Sequence, residues 1–386
     1  VRLQLIAALT AIAVAPSAPA IADDEPWAIN VDTLVYSDTD NVDVVSPQVG
    51  VRRELADGEG SVGARVVVDV ISAASVDVVS QASQRFSEVR TEADLSASLP
   101  VAGFVPSVSY RYSHEPDYES HGGRLGVERR LGSADTTLSF GYGLTVDRVG
   151  MSGTPSSVFS ERLTTHSGDV GITQVIDRRT LVRLVYSLTA QQGYMEKPYR
   201  LVPLFDDAGL AMAEADGVAL DLDSFDAYRL ASKPPEEVPD DRYRHAVALR
   251  ALHYLPSMSS SLRVDYRFYV DSWGITAHTL EPALYREIGE SWRVNAFARL
   301  YRQSAASFWQ RTYRVSDPAM APRWRTVDKS LSPFASATAG LRGEWQRGDT
   351  LSAYAEVSAA YTRFEDYLFL DDRLAVMSLL GLRWTP

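Results

Sequence analysis

From Trp27 to the C-terminus apolar and polar residues alternate with a period of two, which sends successive side chains to opposite faces of a strand. Glu88, Arg90, Glu92, Asp94, Ser96 and Ser98 alternate with Val89, Thr91, Ala93, Leu95, Ala97 and Leu99. Leu138, Phe140, Tyr142, Leu144 and Val146 alternate with small or polar partners, and Val182, Leu184, Tyr186 and Leu188 do the same. The pattern predicts about sixteen strands, near 28–38, 46–55, 61–71, 86–99, 104–114, 121–131, 136–148, 163–176, 180–193, 242–255, 261–272, 275–288, 291–304, 332–346, 350–363 and 373–385. Many exceed the five or six residues usual for a soluble strand and suit a tilted strand that crosses a bilayer.

The connections sort by strand parity. After even strands they are short and rich in Gly, Asp, Pro and Ser, as at 56–60, 100–103, 132–135, 177–179, 256–260, 289–290 and 347–349. After odd strands come the long ones: 72–85, 149–162, 194–241, 305–331 and the shorter 364–372. A barrel with tight periplasmic turns and long external loops has this asymmetry. The fold class expected is therefore all-β: a closed antiparallel transmembrane β-barrel. A secreted β-sandwich or solenoid would carry a polar solvent face, whereas here an apolar, aromatic-rich face recurs on nearly every strand. Tyr and Trp are expected in girdles, with Trp27, Tyr254, Tyr285, Trp292, Trp345 and Trp384 at the periplasmic ends and Tyr36, Tyr112, Trp273 and Tyr361 at the external ends.

Residues 1–22 read as a cleaved signal peptide: Arg2, an apolar stretch over 3–14, then small residues ending Ala20-Ile21-Ala22. Residues 23–386 are then one outer-membrane barrel domain. The apolar stretch is too short for a spanning helix, and no later run of about 18 apolar residues occurs. The chain has no cysteine, which fits export. Its net charge of −12 offers no basic field for a nucleic acid. The three lysines, Lys197, Lys233 and Lys329, all fall in external loops.

With the apolar face toward lipid, the other face lines a charged lumen. Arg65, Asp69, Glu88, Arg90, Glu92, Asp94, Arg111, Arg124, Glu128, Arg263, Asp265, Arg267, Arg299, Arg342, Glu344 and Glu356 point inward on this register. Such pairs brace a wall, or they set ion selectivity in a wet pore. The 194–241 loop is acidic, and its opening residues 194–203 are apolar enough to fold back as a plug or lid. No cofactor is predicted. The loop's carboxylates would suit a surface Ca²⁺, but without EF-hand spacing a solvated acidic loop is the simpler reading. His114 and His121, with Glu115 and Asp117 between them, form a faint metal-like cluster.

The stretches Asp69–Asp77, Phe86–Glu92, Gly193–Arg200, Tyr266–Thr279 and Arg302–Phe308 resemble a family of uncharacterised bacterial proteins, domain of unknown function thirty-five seventy. The resemblance implies an exported outer-membrane barrel without established activity, in the company of periplasmic thioredoxin-like and flavin-transfer proteins. These motifs and the inward charges give a candidate polar site in the lumen or at the external mouth: Asp69, Asp77, Glu88, Arg90, Glu92, Tyr194, Glu196, Tyr199, Arg267, Asp271, Trp273, His278 and Gln303. The alternative is that the motifs fix loop packing over the mouth. The function expected is a channel or transporter for a small polar solute. The alternatives are a scaffold for an export, maturation or redox pathway, or a membrane-embedded lipid-acting hydrolase using His278. The partners expected are outer-membrane lipid, the barrel-assembly machinery and periplasmic proteins.

Overall fold

The computed structural model describes residues 27–55, 58, 60–73, 86–132 and 135–386. The expected signal peptide and Asp77 lie outside the described residues. Nine strands come first: β1 (Ala28–Asp38), β2 (Val42–Leu55), β3 (Gly60–Ala73), β4 (Phe86–Ser98), β5 (Phe104–Glu115), β6 (Tyr118–Leu131), β7 (Thr136–Val149), β8 (Glu161–Asp177) and β9 (Thr180–Gly193). The short β10 (Leu204–Phe205) lies in a loop, followed by β11 (Asp241–Leu255), β12 (Ser260–Asp271), β13 (Thr276–Ile288) and β14 (Trp292–Gln303). The short β15 (Tyr313–Arg314) precedes β16 (Phe334–Arg347), β17 (Leu351–Phe364) and β18 (Asp372–Trp384).

All but β10 and β15 form one closed antiparallel barrel, in the ring order β1, β18, β17, β16, β14, β13, β12, β11, β9, β8, β7, β6, β5, β4, β3, β2. Closure between first and last strand pairs Val31 with Leu382 and Val35 with Ser378. The expected sixteen strands are thus present. Several run further toward the long-loop end than the alternation suggested: β2 begins at Val42 and β6 at Tyr118. At Val42 and Val44 apolar residues face inward, against Tyr36 and Ala375, so the lumenal face there does not read as polar.

Elsewhere the period of two sets the two faces. Leu125, Leu341, Leu380 and Phe140 project from the outer surface, each more than half exposed. An apolar belt of this size around a closed sheet is a surface for lipid. Trp27, Trp292 and Trp384 stand on the outside at the short-turn end, and Tyr361 at the other. Four expected girdle residues turn inward instead. Tyr36 is buried beside Asp38, Tyr285 lies with Arg263, Tyr254 shares the lumenal register of Arg250, and Trp273 is packed under loops. Strand parity turns Tyr36, Tyr254 and Tyr285 to the inner face, and Trp273, in the β12–β13 turn, packs into an apolar cluster under the loops.

Opposite charges meet directly across strands inside the barrel. Asp94 on β4 faces Arg65 on β3 at 2.6 Å and Arg111 on β5 at 2.7 Å. Asp265 on β12 takes Arg250 on β11 at 2.6 Å and Arg263 of its own strand at 3.1 Å, and Glu281 on β13 takes Arg263 at 2.5 Å. Two lumenal glycines let side chains reach over a whole strand. Arg124 on β6 crosses Gly141 to bond Asp169 on β8, and Tyr354 on β17 crosses Gly381 to bond Asp32 on β1. A Cβ at Gly381 would sit 2.2 Å from the Asp32 carboxylate.

Candidate functional site at the long-loop mouth

Two long connections, 194–240 between β9 and β11 and 304–333 between β14 and β16, fold over the mouth and build their own core. Val202, Leu204, Phe205, Phe225, Tyr313, Val315 and Val327 cluster there with Phe364, Tyr367, Leu368 and Phe369 from the β17–β18 side. The short strands β10 and β15 pair in parallel, Leu204 with Tyr313 and Phe205 with Arg314, locking one loop to the other. A second cluster joins Val238, Trp273, Ile275, Ala306 and Leu331. Complete burial of Val202, Leu204 and Phe205 supplies about 1.5–3 kcal/mol per large side chain, which stabilises ordered loops against their chain entropy. The fold-back expected of residues 194–203 is present.

Beneath this core lies a buried ionic clasp. Arg200, 1% exposed, donates to Glu236 at 3.0 Å and to Asp328 at 2.6 Å. Lys197 reaches Asp328 at 3.0 Å, and Thr326 donates its hydroxyl to Glu236. Burial alone would raise the Asp328 carboxyl, but the charges of Arg200 and Lys197 outweigh it and hold the group well below the usual carboxylate range. The residues on either side extend the clasp to the rim. Tyr199 donates to Asp117 in the β5–β6 turn at 2.6 Å, and buried Lys329 pairs with Asp40 in the β1–β2 turn.

The ring order gives these contacts their meaning. The hairpins carrying Asp40, Asp328, Arg200 and Asp117 are each separated from the next by four strands, so they stand at the quarter points of the barrel. A sixteen-strand barrel at ordinary strand spacing and tilt is on the order of 30 Å across. Tyr199, Arg200, Asp328 and Lys329 therefore join all four quarters across the mouth.

Lumenal exposure follows the cap. Toward the long-loop end Asp69, Glu88, Arg90, Glu92, Glu115, Asp147 and Asp271 are buried. Deeper in the barrel the side chains of Arg111 and Arg124 are 49% and 46% exposed. Around Arg111 and Arg124 the lumen is thus more exposed than beneath the cap, while Arg263, Asp265 and Glu281 farther round the wall are 18%, 22% and 13% exposed.

The sequence model of the family described as "Protein of unknown function (DUF3570)" matches residues 82–368. The chain belongs to this family. No curated protein matches it significantly. Among solved structures this DUF3570 barrel is similar to a bacterial polysaccharide outer membrane secretin (8% identity, TM-score 0.52, covering 95% of this chain and 100% of that one). It is also similar to CdiB from Escherichia coli (13% identity, TM-score 0.50, covering 94% of this chain and 64% of that one). The chain thus spans less than two thirds of CdiB. At these identities the likeness shows the fold: that of outer-membrane β-barrels.

The candidate residues of the DUF3570 barrel divide into three groups. Asp69, Glu88, Arg90, Glu92 and Arg267 belong to the lumenal wall; Arg90 holds Asp69 at 2.5 Å, and Glu92 lies 3.3 Å from Arg65. Tyr194, Glu196, Tyr199, Asp271, Trp273 and Gln303 hold the cap. Asp271 accepts from the Trp273 and Ile275 amides, each at 3.0 Å, and pairs with Arg242, whose guanidinium lies 4.2 Å from the Trp273 ring centre. Gln303 donates to the Ser330 and Ser332 carbonyls at 2.9 and 2.8 Å. Glu196 accepts from the Met195 and Val238 amides, and burial raises its carboxyl. The Tyr194 ring packs edge-on against Phe159.

His278 forms the third group alone. It is exposed on the outer face, with Nδ1 2.7 Å from the Tyr266 hydroxyl, and takes no part in the lumen or the cap. His114 and His121 likewise face outward while Glu115 and Asp117 face inward, so that faint metal-like cluster is split by the strand pleat. Among the described residues Glu88, Glu115 and Asp117 bring carboxylate oxygens within 4.8 Å of one another, a donor set suited to a hard cation. Carboxylates of the 194–240 loop are instead spent on caps and ion pairs: Asp206 caps the helix Asp207–Ala215, Asp207 pairs with Arg314, and Glu237 with Arg325.

The clasp residues Arg200, Glu236, Asp328 and Asp40 were not among the candidates. Arg200 did stand at the end of the Gly193–Arg200 motif, and Lys197 and Lys329 were two of only three lysines, which was the available signal.

Proposed function

We propose that this protein is a gated outer-membrane channel for small charged or zwitterionic solutes, open to the periplasm and closed externally by the loop cap. The observation that carries the reading is the contrast between half-exposed Arg111 and Arg124 in the lumen and the buried groups beneath the cap. A barrel filled only for bracing would bury such side chains. Their exposure leaves room for a path in which fixed charges of both signs can replace part of a solute's hydration. The clasp gives the path a gate, because its ions are mutually satisfied only while both loops lie across the mouth.

Planar-bilayer recording tests this reading. The wild type is expected to be closed for most of the time, and Arg200→Ala to give frequent, long-lived conductance steps. Silence from Arg200→Ala barrels shown by heat-dependent gel mobility to be folded and inserted would refute the channel and favour the scaffold reading. The hydrolase reading lacks support at its proposed base, since the described neighbours of the His278 ring are Tyr266 and Phe268.

A further inference from the structure

Four tyrosine–histidine pairs repeat around the outer surface. Tyr110 on β5 meets His121 on β6 at 2.7 Å, Tyr142 on β7 meets His166 on β8 at 2.8 Å, Tyr186 on β9 meets His245 on β11 at 2.8 Å, and Tyr266 on β12 meets His278 on β13 at 2.7 Å. In every case the hydroxyl bonds Nδ1, and each histidine stands two residues diagonally from the position opposite its tyrosine. Each pair belongs to one long-loop hairpin, and the eight strands are consecutive in the ring. All eight side chains are on the exposed outer face.

The height of the row is set by its neighbours. On the outward face the next positions toward the short turns are glycine or apolar, such as Val247 and Leu249 below His245 and Leu280 below His278. The next position toward the long loops is polar: Glu119, Thr164, Tyr243 and Thr276. The imidazoles are therefore the first polar row met on leaving the apolar belt, the depth at which lipid ester groups stand. Glu119, one step further out, pairs with Arg148 at 2.7 Å, as suits the headgroup level.

Hydrogen-bond accounting fixes the proton. If Nδ1–H donated to the phenol, the phenolic proton and the Nε2 lone pair would both face the hydrocarbon edge unsatisfied. If the phenol donates to Nδ1, one donor, Nε2–H, remains, and an unpaired donor at this depth is costly. His121 shows what that donor seeks, since its Nε2 lies 3.6 Å from the Glu119 carboxylate. For His166, His245 and His278 the tyrosine bond is the hydrogen bond present among the described residues.

We propose that these pairs form a lipid-binding girdle in which Nε2–H donates to acyl ester carbonyls of the adjacent leaflet. The proposal rests on the reading that the apolar face meets a bilayer. The tyrosine sets the tautomer, the apolar row below seats the acyl chain, and spacing by hairpins places one donor every two strands along half the perimeter.

The full chain reconstituted into vesicles of a diester phosphatidylcholine, and separately of its diether analogue, tests it. Wild type is expected to unfold at higher urea in the diester vesicles, and the difference to vanish in a His166→Phe, His245→Phe, His278→Phe variant. The same difference in both proteins, or none in wild type, overturns the girdle. If the triple variant does not insert, imidazole ¹⁵N spectra of wild type decide: protonation at Nε2 supports the proposal and at Nδ1 refutes it. Failure of wild type to insert into either vesicle would overturn the membrane reading itself, an outcome distinct from an inserted barrel indifferent to the ester.

Discussion

Arg200 donates to Asp328 at 2.6 Å across 128 positions of sequence, and both groups are buried where the two long loops on either side of the β12–β13 hairpin meet. The bond holds the cap as one body, because each partner also serves its own loop: Arg200 bonds Glu236, and Asp328 accepts from the Ser330 amide.

Removing one member leaves the others buried and uncompensated. Arg200→Ala is expected to destabilise the cap by about 3–5 kcal/mol while the barrel wall persists. Amide exchange at Leu204 and Phe205 should then accelerate strongly, with exchange in β7 and β8 unchanged. Equal protection in both regions would count against a separable cap.

The clasp also predicts an acid limb. Asp328 has its carboxyl depressed in the folded cap, so its contribution is complete above about pH 5 and is lost as pH falls through the unfolded value near 4 toward the folded one. Glu196 has the opposite sign: burial raises its carboxyl, so the cap gains stability as Glu196 takes up a proton above that range. Cap protection should therefore rise slightly on mild acidification and collapse below about pH 4. Asp328→Asn should remove the collapse and Glu196→Gln the rise, both read by amide exchange against pH.

Lumenal charge should govern selectivity once the cap is open. In the Arg200→Ala background, Arg124→Glu replaces a half-exposed cation beside Asp169 with a second carboxylate. The reversal potential in a salt gradient is expected to move toward cation preference, with the shift shrinking at high salt. An unchanged potential would mean ions bypass the ladder.

Gly381→Ala tests the reach of Tyr354 over β18. The new Cβ would lie 2.2 Å from the Asp32 carboxylate and 2.3 Å from the Tyr354 ring, so the bond between them must break, at a cost of about 1–3 kcal/mol. Gly123→Ala is the control: its Cβ would meet nothing within 4 Å and should be neutral. Urea unfolding of the two variants compares them directly.

Alternation along the chain was enough to determine the wall, its two faces, the sorting of loops by end and the inward charges, because strand pairing repeats a local period. Arg65, Asp94 and Arg111 could be read as lumenal from parity alone. The expectation failed where girdle chemistry was set above parity, as at Tyr36, Tyr254 and Tyr285, or where a sequence motif was taken to share one site, as at His278. What the tertiary structure decided is the cap. Lys329 meets Asp40 across 289 positions, and the quarter-point geometry exists only once the ring has closed. No local period encodes such partners; they are selected by the burial of Val202, Leu204 and Phe205 against a second loop, which brings the charges of Arg200 and Asp328 together out of water.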